Sequence, residues 1–258
     1  MSRPRASRSV AALLAVLALG PGCGDDGGAV VNTTSATVTT TTAAVTTVAP
    51  TTTTAAPTTT SGHRDYPPAA LDYFVEVALG PEFGSGVREI RKWTQDVKIA
   101  VHGDPNPEDL AVLDDVIADL NEIIGTIEIE IVETGQNVDL HFAPEAQFAA
   151  IEPNYVPVNM GFFWVWWDGG GNITSSRILV STTDLSQPER NHIIREELTQ
   201  SMGLMNDSFS HEDSMFYQEW TETPAFSDLD ELLIEMLYLP QITPGMKPEE
   251  ALALLGSG

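Results

Sequence analysis

From Ala70 onward, apolar positions alternate between helical and strand spacing. Residues 70–84, ALDYFVEVALGPEFG, begin with a helical recurrence and end in a Gly/Pro turn, which predicts a short helix. In VKIAVHG, Val97, Ile99 and Val101 share one face, the period of a strand. Next come Leu110, Leu113, Ile117, Leu120 and Ile124, spaced three or four apart, a core stripe on one long helix. Asn106 can cap that helix, Pro107 suits its first turn, and Gly125 stops it. Strand patterns follow at 127–133 and 137–143.

Residues 161–183 read as a hairpin around the turn DGGGN. Phe162, Trp164 and Trp166 point one way, and Phe163, Val165 and Trp167 the other. A strand apolar on both faces belongs inside a core. The alternative is that one face, with Trp164, Trp166 and Trp167, lines a cleft or meets a partner strand at a sheet edge. A helix then starts at Ser186 and Glu189, a capping-box pair with Pro188 in the first turn, and ends at Gly203. A last clear helix covers 228–238 with Leu229, Leu232, Leu233, Met236 and Leu237 inward, and stops before Pro240. This order predicts an α/β (α+β) fold, a mixed twisted sheet backed by helices. It occupies one domain, residues 63–258.

Ahead of the domain the pattern disappears. Residues 31–62 are Thr, Ala, Val and Pro with few other residues and no charge, a composition that cannot build a core and reads as an extended, disordered spacer. Residues 1–22 read as an export signal: Arg3, Arg5 and Arg8 precede a short apolar run, Val10 to Leu19. That run falls short of the roughly 20 apolar residues a membrane span needs. Cys23, the only cysteine, has no internal partner, and its place after the apolar run resembles a lipobox, although Gly20 and Pro21 replace the usual residues. The expected location is therefore outside the cell, as an outward-facing lipoprotein or a secreted protein, with residues 23–62 as lipidation site and spacer. The membrane enters only through a lipid anchor at Cys23.

Charge narrows the partners. The chain carries −25, from 12 basic and 37 acidic residues, and loss of Arg3, Arg5 and Arg8 leaves about −28. A field of that sign repels nucleic acid.

The candidate chemistry lies in 195–207, REELTQSMGLMND. Its spacing resembles the zinc-binding helix of the metzincin peptidases, H-E-x-x-H-x-x-G-x-x-H, without the histidines. SMFY, from Ser214, is similar to the metzincin Met-turn, and FSDLDELLIEMLY, from Phe226, to the helix that packs behind it. More closely, residues 70–255 resemble a bacterial family of secreted proteins and lipoproteins known only as a domain of unknown function. Shared are the R-E-E-x-x-Q-x-x-G-L-x-N-D helix, the W-x-x-x-[VI]-x-[IV]-x-V strand at 93–101 and the L-Y-x-P-x-[IL]-x-P-G-M ending at 237–246. The resemblance implies a metzincin-like sheet with a backing helix, a central motif helix, a Met-turn-like loop and a C-terminal helix. It implies no established activity.

Carried over by position, Glu196, Gln200 and Asn206 stand at the three metal-ligand positions and Glu197 at the general base. Gly203 is the turn glycine, and Phe216 replaces the Met-turn methionine with Met215 displaced by one. Arg195, Asp207 and Tyr217 complete the motifs. Catalytic zinc favours imidazole nitrogen with at most one carboxylate. Glu, Gln and Asn offer only oxygen, a set nearer to calcium, and with one formal charge a weak one. The expectation is no metal and no other cofactor. A set made of His192, Glu196 and His211 would suit zinc on paper, but His192 sits one turn too early; His63 and His102 lie outside the motif.

Three readings of the polar stripe stay open: a hydrogen-bonded network in place of the ion, a small-molecule or partner site in the same cleft, or a metal site. The expected function is binding of a protein, peptide or envelope ligand by a domain that has lost zinc and peptidase activity. The alternative is an atypical metallopeptidase or hydrolase with Glu197 as general base.

Overall fold

The computed structural model describes residues 66–79, 88–219 and 221–256. The expected export signal at residues 1–22, Cys23, the Thr/Ala/Pro-rich stretch and His63 lie outside them. Helix α1 is Pro68–Leu79, followed by strand β1, Val97–Gly103, and helix α2, Pro107–Ile123. Strands β2 (Ile129–Ile131) and β3 (Val138–Ala143) lead to a 3-10 turn at Glu145–Gln147 and the short helix α3, Phe148–Ile151. The hairpin of β4 (Gly161–Trp167) and β5 (Ile173–Ser181) precedes α4, Gln187–Gln200. Helices α5, Asp228–Tyr238, and α6, Pro248–Leu255, complete the chain.

The five strands form one sheet in the order β2-β1-β3-β5-β4. All neighbours are parallel except β4, which runs antiparallel to β5 and occupies an edge. The parallel pair β1–β2 is joined through α2, because adjacent parallel strands need a crossover. Val97, Ile99, Val138, Leu140, Ile178 and Val180 of one sheet face enter a core with Leu113, Val116 and Leu120 of α2 and Ile194 and Leu198 of α4. On the other face Phe162, Trp164 and Leu179 pack with Phe148 and Tyr155. Tyr155 stands edge-on to Phe148 and Phe162, with centroids 5.2 and 5.5 Å apart. Both faces of β4 are thus buried along most of its length, as a core strand requires.

The mixed α/β sheet with a backing helix, a central helix, a Met-turn-like loop and a C-terminal helix is the expected architecture. Three details differ. Leu110 is 39% exposed and is not part of the core stripe. In the first turn of α2 the inward position belongs to Asp109, in line with Leu113, Val116 and Leu120, and Leu110 lies about 100° further round. Asp109 is buried because Gln187 and Arg190 of α4 reach it, at 2.7 and 3.4 Å. Strand β2 covers only three residues, gripped at Ile129 by both amide atoms of the Asn121 side chain. Helix α6 and the Glu145–Ile151 turn were not expected from periodicity; both are too short to show one.

Among the described residues no helix is long and apolar enough to cross a membrane.

Candidate functional site

Helix α4 carries the site and is buried from His192 to Gln200. It starts as expected, with the Ser186–Glu189 capping box and Pro188 in the first turn. Its far end is held by two aromatic donors. Trp93 Nε1 donates to the Ser201 carbonyl at 3.0 Å, and the Tyr238 hydroxyl to that of Met202 at 2.8 Å. These bonds satisfy carbonyls that every helix end leaves over. Gly203 follows at φ +118°, where a Cβ would stand 2.1 Å from the Arg91 carbonyl oxygen. The turn glycine is therefore required twice, by its backbone angle and by the closeness of the Arg91 segment.

Each of the three ligand positions has its own partner. Glu196 Oε2 lies 3.5 Å from His192 Nε2, one turn earlier on the helix. The His192 Nδ1 pairs with the Thr223 carbonyl at 3.0 Å, and burial lowers the pKa of this imidazole. Gln200 donates through Nε2 to Asp207 Oδ1. Asn206 donates through Nδ2 to the Val77 carbonyl of α1 at 3.0 Å, and its own backbone N–H reaches the same carbonyl at 3.2 Å.

A metal would need these side chains turned to one point. They are not; two of them offer amide N–H groups to carbonyl or carboxylate oxygen. Among the described residues no group of three His, Cys, Asp or Glu side chains could hold a metal ion. The residues present do not fit a catalytic zinc. Nor does the His192, Glu196 and His211 set assemble: the His211 ring packs edge-on to Tyr73, 4.5 Å between centroids, beside the Met-turn-like loop.

Glu197, at the general-base position, is buried beneath the start of β4. A Cβ on Gly161 would stand 2.2 Å from Glu197 Oε1 and 2.6 Å from the Ile193 Cγ2 methyl, so only glycine admits the carboxyl there. Glu197 Oε2 has no hydrogen-bond partner among the described residues, and neither has Gln200 Oε1. Burial first, and the charge of Asp207 second, push Glu197 well above the usual carboxyl range. Burial pushes Asp207 up to about 7, opposed by its bond from Gln200. Gln218 also donates to Asp207, Nε2 to Oδ2 at 3.2 Å. Asp207 and Gln218 thus complete the bonding around Gln200, the second ligand position. The sequence placed Asp207 in the motif without a role and did not single out Gln218. Nothing in the periodicity marks either, because both sit in irregular backbone.

The Met-turn-like loop is strapped to α5. Ser208 and Tyr217 form an isolated bridge, and Met215 and Phe216 are fully buried. Ser214 Oγ donates to Asp230 Oδ1, Met215 N–H to Oδ2 at 3.0 Å, and Tyr73 hydroxyl to Ser214 Oγ at 2.8 Å. Asp230 is also the third residue of the α5 capping box with Ser227. Arg195 points away from both glutamates, to Asp119 of α2 at 2.6 Å and over the Phe226 ring at 4.7 Å.

A recess of about 20 Å³, room for about one water molecule, opens over α4, lined by His192, Ile193, Glu196 and Glu197, by Met160 and Gly161 at the start of β4, and by Tyr217, Gln218, Glu219 and Thr221. Trp164, Trp166 and Trp167 lie elsewhere. Trp164 is in the second core, Trp166 is 39% exposed beneath Arg177, and Trp167 faces Arg91 at 4.9 Å. The hairpin meets the cleft at its first residue and carries its indoles away from it.

Residues 68–257 match the family described as protein of unknown function (DUF2927), and the chain belongs to that family. No curated protein matches the chain. Two solved structures of myroilysin are similar to it. One shares 9% identity at a TM-score of 0.39, over 57% of this chain and 85% of that one. The other shares 11% at 0.37, over 58% and 82%.

Proposed function

We propose that this domain is a non-catalytic binding module built on a metzincin-like scaffold, acting outside the cell through the cleft over α4. The observation that carries this reading is the dispersal of the ligand positions: Glu196 toward His192, Gln200 to Asp207, Asn206 to the end of α1. Without a metal there is nothing to lower the pKa of a bound water for Glu197 to deprotonate. Burial, which disfavours the carboxylate, works against Glu197 as a general base. What remains is a small recess of mixed polar and apolar lining, whose floor is α4. Export rests on the signal-like residues 1–22, and anchoring on Cys23.

The test is metal analysis of the purified full chain together with protein hydrolysis, measured with and without chelator. This reading expects no stoichiometric metal and no turnover. Stoichiometric zinc, with hydrolysis lost in Glu197→Gln and on chelation, would overturn it.

One observation favours a second reading, a hydrolase. Two buried carboxyls, Glu197 and Asp207, influence each other's proton beside the cleft, as acid–base pairs do. Hydrolysis that survives the chelator and is lost in both Glu197→Gln and Asp207→Asn would establish it.

A further inference from the structure

The sheet face turned away from α4 carries a cluster that the motif helix does not use. Along β1 and β3, Ile99, Val138 and Leu140 enter the core with α2 and α4. Side chains alternate along a strand, so His102, Asp139 and His141 project from the opposite face. His102 and His141 are direct partners in the parallel register of the two strands. Their rings stack, with planes 23° apart and centroids 4.5 Å apart.

His102 Nε2 pairs with Asp139 Oδ1 at 2.8 Å. Burial works against the Asp139 carboxylate, but the bonds from His102 and Gln136 outweigh it and hold its pKa below the usual value. In the neutral His102 ring, the nitrogen facing that charged acceptor carries the hydrogen, and Nδ1 keeps its lone pair. His141 is half-buried, and burial first, then the His102 charge, lowers its pKa to about 4. Its ring is therefore neutral at pH 7, and among the described residues the ring makes no hydrogen bond.

We infer that His102 and His141 bind one divalent transition-metal ion between them, copper(II) most tightly, with Asp139 as the positioning carboxylate. Neutral imidazole nitrogen suits such ions, and copper(II) heads their affinity order. An ion about 2.0 Å from two neighbouring ligands needs their nitrogens roughly 3 Å apart. Rings already stacked at 4.5 Å reach that by small side-chain rotations, without moving the strands. A carboxylate on the outer nitrogen is the usual support of a metal-bound imidazole, fixing its tautomer and orientation. Two nitrogens, not three side chains, make this site, and water fills the remaining positions. Arg177, a cation of the neighbouring strand, is engaged with the Glu152 carboxylate at 2.9 Å and the Ile151 carbonyl at 3.0 Å. The chain as a whole, at −25, draws cations in.

The site goes beyond the binding reading of α4 and lies across the sheet from it. With only two protein ligands it exchanges its ion and is emptied by chelator. It therefore adds nothing to the stoichiometric metal by which the non-catalytic reading is tested.

Copper(II) titrated into the chelator-stripped full chain, followed by calorimetry and electron paramagnetic resonance, tests this. A single ion per chain is expected, with two imidazole nitrogens in the spectrum of the unaltered protein. Nickel(II) and zinc(II) should bind more weakly. His102→Ala and His141→Ala should each leave one imidazole, and weaken binding by at least the roughly tenfold that loss of an outer partner costs. Asp139→Asn should weaken binding about tenfold with both imidazoles kept, as expected of a residue that positions. His211→Ala, in the Met-turn-like region, should change nothing. No saturable binding, a spectrum without an imidazole pair, or undiminished binding in both sheet variants overturns the inference. Loss of the ion in His211→Ala, with the sheet variants intact, overturns it too.

Discussion

Two buried polar clusters share this domain, and their hydrogen bonding is opposite in quality. Around Asp230 each side-chain oxygen has donors: Ser214 Oγ on Oδ1, and the N–H groups of Met215 and Ser227 on Oδ2, at 3.0 and 2.8 Å. Around Glu197, Glu197 Oε2 and Gln200 Oε1 have no partner among the described residues, and two carboxyls compete for protons. The first cluster ties loop to helix and supports the fold. The second leaves buried groups uncompensated beneath the recess over α4. Buried polar groups that stabilise are satisfied internally, and those kept for another purpose are not.

Substitutions can break that contrast. The largest loss should come from Asp230→Ala, which strands Ser214, Met215 and Ser227 at once. Roughly 3 kcal/mol or more of folding stability should go, measured by denaturant unfolding. Next is the pH dependence of stability. Asp207 has a folded pKa raised from 3.8 to about 7. Its contribution is therefore fully present below pH 3.8 and is lost as pH rises toward 7. Thermal unfolding from pH 4 to pH 7 should show that decline, and Asp207→Asn should flatten it by roughly 5 °C.

Gly161→Ala pushes a methyl against Glu197 Oε1 and Ile193, and should cost about 2 kcal/mol. Combining it with Glu197→Ala should recover part of that loss, a double-mutant cycle that isolates the contact. The smallest effect sharpens the comparison most. Glu197→Gln should be neutral near pH 5 and stabilising by about 1 kcal/mol at pH 8, whereas Asp230→Asn should destabilise at both. Equal losses at the two positions would erase the distinction.

Much of the scaffold could be read from sequence because its signals are local. The α4 capping box, the β4–β5 hairpin, Gly203 and the apolar face of α5 each follow from a few neighbouring residues. The exposure of Leu110 could not be read that way, since it depends on Gln187 and Arg190 holding Asp109 from another helix. The site was legible as a set of positions and not as a set of partners. Gln200 was visible as a ligand substitute, but its bond to Asp207 arises from a turn that only Gly203 and the Arg91 carbonyl define. Trp164 and its neighbours show the reverse case. An aromatic strand advertises a binding face in sequence, yet the register of β4 sends those rings into a second core and toward Arg177 and Arg91.

Lys92 illustrates how the ends of the domain depend on each other. Its ammonium group is buried, its pKa lowered to about 8 by burial, and it donates to the carbonyls of Leu237 and Leu239 at 3.0 and 3.3 Å. Close by, Ile90 N–H pairs with the Met246 carbonyl and Gly245 N–H with that of Ile90. These clasps join positions about 145 residues apart, so a growing chain cannot close them until nearly all of the domain has been made. A chain halted after Ser227 would have its central helix without Tyr238 to seal it and with Lys92 lacking its carbonyls. The end of α4 is therefore sealed last, and a truncation far from it in sequence would leave the Met202 carbonyl without its Tyr238 donor.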